Sequence, residues 1–307
     1  MAAVLVGAVL SGCDLMIAGT VPPYLTYATA ELDLTGTLPA SIREVQLEVV
    51  PAGPENESVF VLVVRPDQAG PDTMVMVDSR VAVPRVRQDS TDVTRFDTRP
   101  FRRTDGGVQV GNLVYDPVVR TLANAPRIEG RFRPTLLKDL DGEYFFMELA
   151  SPTSLRILPY DASFISSGGE DILPVAALGL TDPIEHFEAR MFGPLEVDLV
   201  LVDDQRWFWF ATIIPGVGVE REAFPLDLDF DVDTVSIQRT DRGIIGRTYE
   251  GELVRLDRET GVVLDRFNPT GTDRRRDEVD IIFDPGGRFY VLFDRQRKIL
   301  YRVASWW

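Results

Sequence analysis

The sequence predicts an all-β chain, and three observations carry that prediction. Helical periodicity is nearly absent from the 307 residues. Short apolar runs of strand length recur along the whole chain, separated by Gly, Pro, Asp and Asn. The 24 Gly and 21 Pro are scattered evenly enough that no linker or domain boundary stands out.

The strand-like runs are, in order, Ser58–Val64 (SVFVLVV), Met74–Val77 (MVMV), Val108–Tyr115 (VQVGNLVY), Tyr144–Leu149 (YFFMEL), Leu195–Val202 (LEVDLVLV) and Arg206–Ile214 (RWFWFATII). One segment, Asp182–Phe192, carries enough apolar spacing to predict one or two helical turns. Further on, Glu252–Phe267 reads as two alternating strands around the turn Arg258-Glu259-Thr260-Gly261. Val279–Val303 reads as three strands joined by the turns Pro285-Gly286-Gly287 and Asp294-Arg295-Gln296-Arg297.

The stretch before it has the same layout: an apolar-Asp opening, then three strands, the third ending near an Asp. Weakly repeated units of this length are the signature of propeller blades. Similar anchors upstream are Glu57-Ser58, Asp105-Gly106-Gly107, Asp141-Gly142-Glu143 and Asp203-Asp204-Gln205; with Asp241-Arg242-Gly243 and Pro285-Gly286-Gly287 they make six. The expectation is a single β-propeller over residues 31–307 with about six blades, five to eight being the range, given a repeat of about 40 to 50 residues. The long interval from Asp141 to Asp203 has room for a seventh blade or for the 182–192 helix. The last unit supplies three strands where a blade needs four, and an unclosed ring exposes sheet edges. A strand within Glu31–Val50, with Arg43–Val50 favoured, is therefore expected to complete the last blade. An open sandwich or paired sheets is the alternative. From about Asp229 onward the pattern resembles the broad propeller superfamily with NHL-type and quinoprotein-type repeats, a likeness of blade layout and not of a functional motif.

A formal charge of −16, with 48 acidic and 32 basic residues, argues against a nucleic-acid binder. One Cys forbids an intrachain disulfide and every multi-cysteine metal site, and one His makes any His-based catalysis depend on His186 alone. Ser163, Ser166 and Ser167 lie near His186 in sequence, but no G-x-S-x-G surrounds a Ser and no Gly-rich phosphate loop follows a strand.

The lone Cys sits in an informative place. Twelve uncharged, mostly apolar residues precede Cys13, too few to span a bilayer. Leu10-Ser11-Gly12-Cys13 resembles a bacterial lipobox: an aliphatic residue, two small ones, then Cys. The resemblance implies an export signal over 1–12, cleavage before Cys13, acylation of that residue and a tether over 13–30. Two or three acyl chains anchor stably where one does not. The family's signals begin with Lys or Arg and none precedes Cys13, so the start is expected to lie further upstream. Asp14 follows the Cys, a feature that in some Gram-negative lineages favours the inner membrane. The implied location is the bacterial envelope, lipid-anchored and extracytoplasmic, with either membrane open.

Among candidate sites, Leu226–Asp233 (LDLDFDVD) places Asp227, Asp229, Asp231 and Asp233 on one face of a strand. Stacked like charges there would be relieved by a calcium-type cation, although the segment is not an EF-hand loop: Val232 and Gln238 stand where Gly and Glu are required. A solvated acidic face is the plainer reading. Asp139, Asp141 and Glu143 read as a second acidic turn whose oxygens could hold a hard cation, a plain hairpin turn at Gly142 being the simpler reading. Arg99, Arg102, Arg103 and Arg274–Arg276 lie beside compensating Asp residues. Trp207–Phe210 is expected to be buried on both faces between neighbouring blades. The functional expectation is an envelope binding or scaffolding module with a protein or glycan partner. The alternative is a propeller enzyme of lactonase, lyase or glycosidase type using acidic residues and a divalent cation, for which three or four carboxylates should converge on the axis.

Overall fold

The computed structural model describes residues 23–51, 58–70, 72–78, 85–88, 101–102, 107–110, 113–119, 121–124, 144–160, 169–192, 196–228, 232, 236–270 and 278–305. The protein is nearly all β. A four-residue helix, α1 (Pro23–Thr26), leads into β1 (Ala28–Asp33). Six antiparallel sheets follow. Sheet one is β2 (Ile42–Pro51), β3 (Ser58–Pro66), β4 (Thr73–Asp78) and β5 (Arg85–Gln88). Sheet two is β6 (Phe101–Arg102), β7 (Val108–Val110), β8 (Leu113–Asp116) and β9 (Thr121–Asn124). Sheet three has β10 (Tyr144–Ser151), β11 (Ser154–Tyr160) and β12 (Asp171–Pro174), after which Val175–Leu178 form a turn of 3-10 helix. Sheet four is β13 (Ile184–Phe192), β14 (Glu196–Asp203), β15 (Phe208–Ile214) and β16 (Gly218–Pro225). Sheet five is β17 (Gln238–Thr240), β18 (Gly243–Arg247), β19 (Leu253–Leu256) and β20 (Val263–Phe267). Sheet six is β21 (Val279–Phe283), β22 (Phe289–Asp294) and β23 (Ile299–Ala304), with β1 as its fourth strand. Among the described residues no helix is long and apolar enough to cross a membrane.

The sheets stack face to face, which explains the continuous apolar strands. In β3, Phe60, Leu62 and Val64 pack against Phe289, Val291 and Phe293 of sheet six. The alternate residues Val59, Val61 and Val63 pack against Val108, Val110 and Tyr115 of sheet two. With both faces buried, the period of two disappears into an unbroken apolar run. Equivalent clusters join sheets three and four, four and five, and five and six. Among the described residues no such cluster joins sheets two and three, and residues 125–143, which connect them, lie outside that set.

The expected helix over 182–192 is instead β13, paired along its length with β14. A bulge between Ile184 and His186 inserts one residue. Ile184, Phe187 and Ala189 thus share one core cluster, and the three-residue step from Ile184 to Phe187 imitates helical spacing.

The strand that completes sheet six is β1, not Arg43–Val50. β1 pairs with β23 through Ala30↔Arg302, Leu32↔Leu300 and Asp33↔Ile299. Arg43–Val50 falls within β2, whose Val45, Leu47 and Val49 pack on the cluster shared with sheet six. An outermost strand is wetted on both sides, so the least apolar candidate takes that place: β1 is mostly exposed.

Four of the six anchors, at Ser58, Gly107, Asp241–Gly243 and Pro285–Gly287, lie between the first and second strands of their sheets. Asp203 lies between the second and third strands of sheet four, and residues 141–143 directly precede β10. Among the described residues that difference in placement, with no extra sheet, accounts for the long interval between Asp141 and Asp203.

The Asp residues that close strands cap hairpins. Asp257 Oδ1 accepts the N–H groups of Glu259 and Thr260 at 2.9 and 2.8 Å. Asp294 Oδ1 accepts those of Gln296 and Arg297 at 3.1 and 3.0 Å, while its Oδ2 accepts the hydroxyl of buried Tyr24 at 2.9 Å. Asp116 and Asp203 do the same for their own turns. These backbone donors, Thr260 foremost, hold the Asp257 carboxyl below the usual carboxylate range.

Candidate functional site at the meeting of first strands

The first strands of neighbouring sheets run side by side: β2 beside β21 and β6, and β13 beside β10 and β17. Beyond its bulge, β13 sends His186, Glu188, Arg190 and Phe192 to the face opposite Phe187 and Ala189, as strand alternation requires. Arg190 Nη1 meets Glu48 Oε2 of β2 at 3.1 Å, with side chains 14% and 10% exposed. Sheets one and four are not neighbours in the stack, so this pair links two sheets across the interior. His186 Nε2 lies 3.4 Å from Glu188 Oε1, the histidine half exposed and the glutamate buried.

A second charged cluster sits between sheets four and five. Arg239 of β17 donates from Nε to Asp198 Oδ2 of β14 at 2.9 Å, and its Nη2 pairs with Glu196. The guanidinium lies over the Phe192 ring, 3.8 Å from its centre. Thr212 Oγ1 completes the shell at 3.2 Å from Asp198 Oδ1. Burial pushes the Asp198 carboxyl up to about 7, and the positive charge of Arg239 opposes that shift.

Other acids of the first strands also have arginine partners. Glu44 meets Arg65 at 2.8 Å, Glu148 meets Arg156 at 3.1 Å, and Asp280 accepts two bonds of 2.7 Å from Arg295. A carboxylate held by a guanidinium has its lone pairs engaged and its charge balanced. This arrangement orients strands; among the described residues it does not leave a row of acids aimed at one point.

The sequence-derived candidates fall elsewhere. Asp227 is exposed just past β16, and its N–H bonds the Gly261 carbonyl at 2.9 Å. Its neighbours Leu226 and Leu228 are buried in the cluster between sheets four and five. Asp229, Asp231 and Asp233 lie outside the described residues, as do Cys13, Asp139, Asp141, Glu143, Arg99, Arg103 and Arg274–Arg276. Among the described residues no three His, Cys, Asp or Glu side chains gather as a metal site. The aromatic run divides by face: Phe208 and Phe210 pack toward sheet five, while Trp209 packs toward the cluster with sheet three and donates Nε1–H to Asp203 at 2.9 Å. Trp207 precedes the strand and is 52% exposed.

Sequence reasoning missed Glu48, Arg190, Asp198 and Arg239. The readable signal was Asp198, an acid flanked by apolar residues inside the run LEVDLVLV, which demands a partner if the run is buried on both faces.

No protein-family model and no curated protein matches the chain. Among solved structures, BamB from Moraxella catarrhalis is similar at 12% identity, over 87% of this chain and 82% of that one, with a TM-score of 0.38. The computationally designed Ika8 protein is similar at 13% identity, over 83% and 70%, with a TM-score of 0.37. Likenesses at this level carry no argument about what the chain does.

Proposed function

We propose that the six sheets are blades of one closed propeller, and that the protein is an exported lipoprotein acting as a binding or scaffolding module of the cell envelope. Closure is supported by the Arg190–Glu48 pair, which brings β13 and β2 together from sheets on different sides of the stack. It is supported too by β1, which fills the outer place in sheet six and so joins the first described strand to the last.

The observation that favours binding over catalysis is the pairing of first-strand acids with arginine. Glu44, Glu48, Glu148 and Asp280 each have a guanidinium, so the centre serves as a structural hub. The surface offered to a partner is then the set of turns, where Trp207 and Tyr249 are 52% and 55% exposed on adjacent sheets. Lipid anchoring follows from the lipobox-like Leu10–Cys13.

Two readouts on the native protein test the anchor together. Mass spectrometry is expected to find an N-terminal diacylglyceryl-modified Cys13, and Cys13→Ser is expected to move the chain from the membrane fraction to the soluble one. An unmodified Met1 on the mature protein contradicts the proposal.

A further inference from the structure

Backbone pairing joins the exposed Trp207 of sheet four to the exposed Tyr249 of sheet five. β15 and β16 pair through Trp209↔Pro225, and the Leu226 N–H extends that ladder to the Phe208 carbonyl at 2.8 Å. Trp207 stands one residue before that bond and Asp227 one residue after it. Further along the same connection, Val232 bridges to Thr248, the neighbour of Tyr249. On the other side, the Asp204 N–H donates to the Pro183 carbonyl at 3.0 Å. The turn before Trp207 thus lies against the start of β13, where Glu185 is exposed.

Both aromatic rings stand on braced backbone. Oδ1 of the buried Asp203 accepts the Trp207 N–H at 2.8 Å, and the Asp203 N–H donates to the Trp207 carbonyl at 3.2 Å. In the second turn, Thr248 Oγ1 accepts the Glu252 N–H at 3.1 Å, and the Thr248 carbonyl accepts the Gly251 N–H at 2.9 Å. A ring presented on a fixed turn loses little conformational freedom when it is covered.

The charge around the rings selects what covers them. Glu185, Asp204, Asp227 and Glu250 are exposed, and among the described residues none of these four carboxylates has an ion-pair or hydrogen-bond partner. The acids of the inner strands differ, each holding an arginine, and Glu252 in the second turn holds Arg266 at 3.0 Å. Within residues 203–207 and 248–252, Arg206 is the one exposed cation. Four like charges repel one another, and the face of an aromatic ring is itself electronegative. A Lys or Arg side chain relieves both: its head meets a carboxylate and its stem or guanidinium plane lies on a ring. A neutral sugar would stack on the rings and leave the repulsion in place.

We propose that turns 203–207 and 248–252, with Asp227 between them and Glu185 beside them, dock a Lys/Arg-rich segment of a partner protein. Its cationic heads meet the four carboxylates, and its side chains cover Trp207 and Tyr249. This rests on reading these turns as the binding surface and adds the charge of the partner. The protein's charge of −16 speeds the encounter, and the two rings fix where the segment settles.

The test is fluorescence anisotropy with the full chain and a short labelled peptide of alternating Lys and Ser. Binding is expected, weakening as salt rises from about 50 to 300 mM. W207S/Y249S is expected to weaken it about tenfold, and D204N/D227N/E250Q by a similar factor. The control E31Q/E220Q/E222Q removes the same charge from exposed outer-strand positions and should change affinity less than about twofold. All these side chains are exposed, and unchanged circular dichroism of each variant certifies its fold. Equal losses in the control and the site variants, or no loss in W207S/Y249S, overturn the proposal. Failure of the underlying reading registers separately, through a Glu-for-Lys peptide and a neutral oligosaccharide. If either binds in place of the Lys peptide and loses affinity in W207S/Y249S, the surface stands and its cationic partner falls. If no probe depends on Trp207 and Tyr249, both fall.

Discussion

Sheet six meets sheet one and sheet five by different chemistry. Toward sheet one the contact is made by apolar rows: Phe60, Leu62 and Val64 against Phe289, Val291 and Phe293. Toward sheet five the apolar cluster is supplemented by hydrogen bonds to the neighbour's backbone, most of them from side chains. The Gln238 amide donates to the Phe283 carbonyl at 2.7 Å and accepts the Phe283 N–H at 3.0 Å. Arg247 donates to the Val279 carbonyl at 2.7 Å, and the Asp241 N–H to that of Pro285 at 2.8 Å. The difference originates in the first strands. β2 offers Val45, Leu47 and Val49, and burial closes the gap. β17 is only Gln238-Arg239-Thr240, so it is stitched on both sides, by Gln238 to sheet six and by Arg239 to sheet four. A short polar strand can hold the inner position when each side chain finds a specific partner.

The largest expected effect lies on the apolar side. Phe293→Ala removes a fully buried ring and should cost about 3–5 kcal/mol in denaturant unfolding. A cost below 1 kcal/mol would show that the rows are not closely packed. On the polar side, Gln238→Leu keeps the volume but leaves the Phe283 N–H and C=O unpaired, and should cost about 2 kcal/mol. If Gln238→Leu proves neutral, burial alone holds both junctions and the contrast dissolves.

A smaller effect concerns pH at the other stitch of β17. The Asp198 carboxyl is raised to about 7 in the fold, so its contribution to stability is complete below the ordinary carboxylate range and is lost as pH rises through 7. Asp198→Asn removes that dependence. Its melting temperature relative to wild type should therefore shift in the variant's favour between pH 5 and pH 8, read by thermal melts in matched buffers. A constant difference across that range contradicts the buried-acid reading.

The same contrast explains what could be read from the sequence. Sheets five and six were legible because their strands are short, their turns carry Gly or Asp, and each Asp in question caps a turn with its own backbone. β1 was not, because apolar content guided the choice toward β2 while an outer strand needs almost none. β13 was misread because a one-residue bulge converts a two-residue period into a three-residue step. The central charged pairs were invisible for a different reason. Glu48 and Arg190 are 142 positions apart, and only the stacking order of whole sheets brings them together. Local pattern reports which residues share a face; it does not report which faces meet.

Closure of the ring is most directly tested at that pair, by a double-mutant cycle of Arg190→Met and Glu48→Gln followed by chemical denaturation. The two side chains are largely buried, so each single substitution should cost about 3 kcal/mol and the pair should show a coupling energy of about 1–3 kcal/mol. Strictly additive costs, with coupling indistinguishable from zero, would mean that β2 and β13 do not meet in solution and that the six sheets do not close around a common centre.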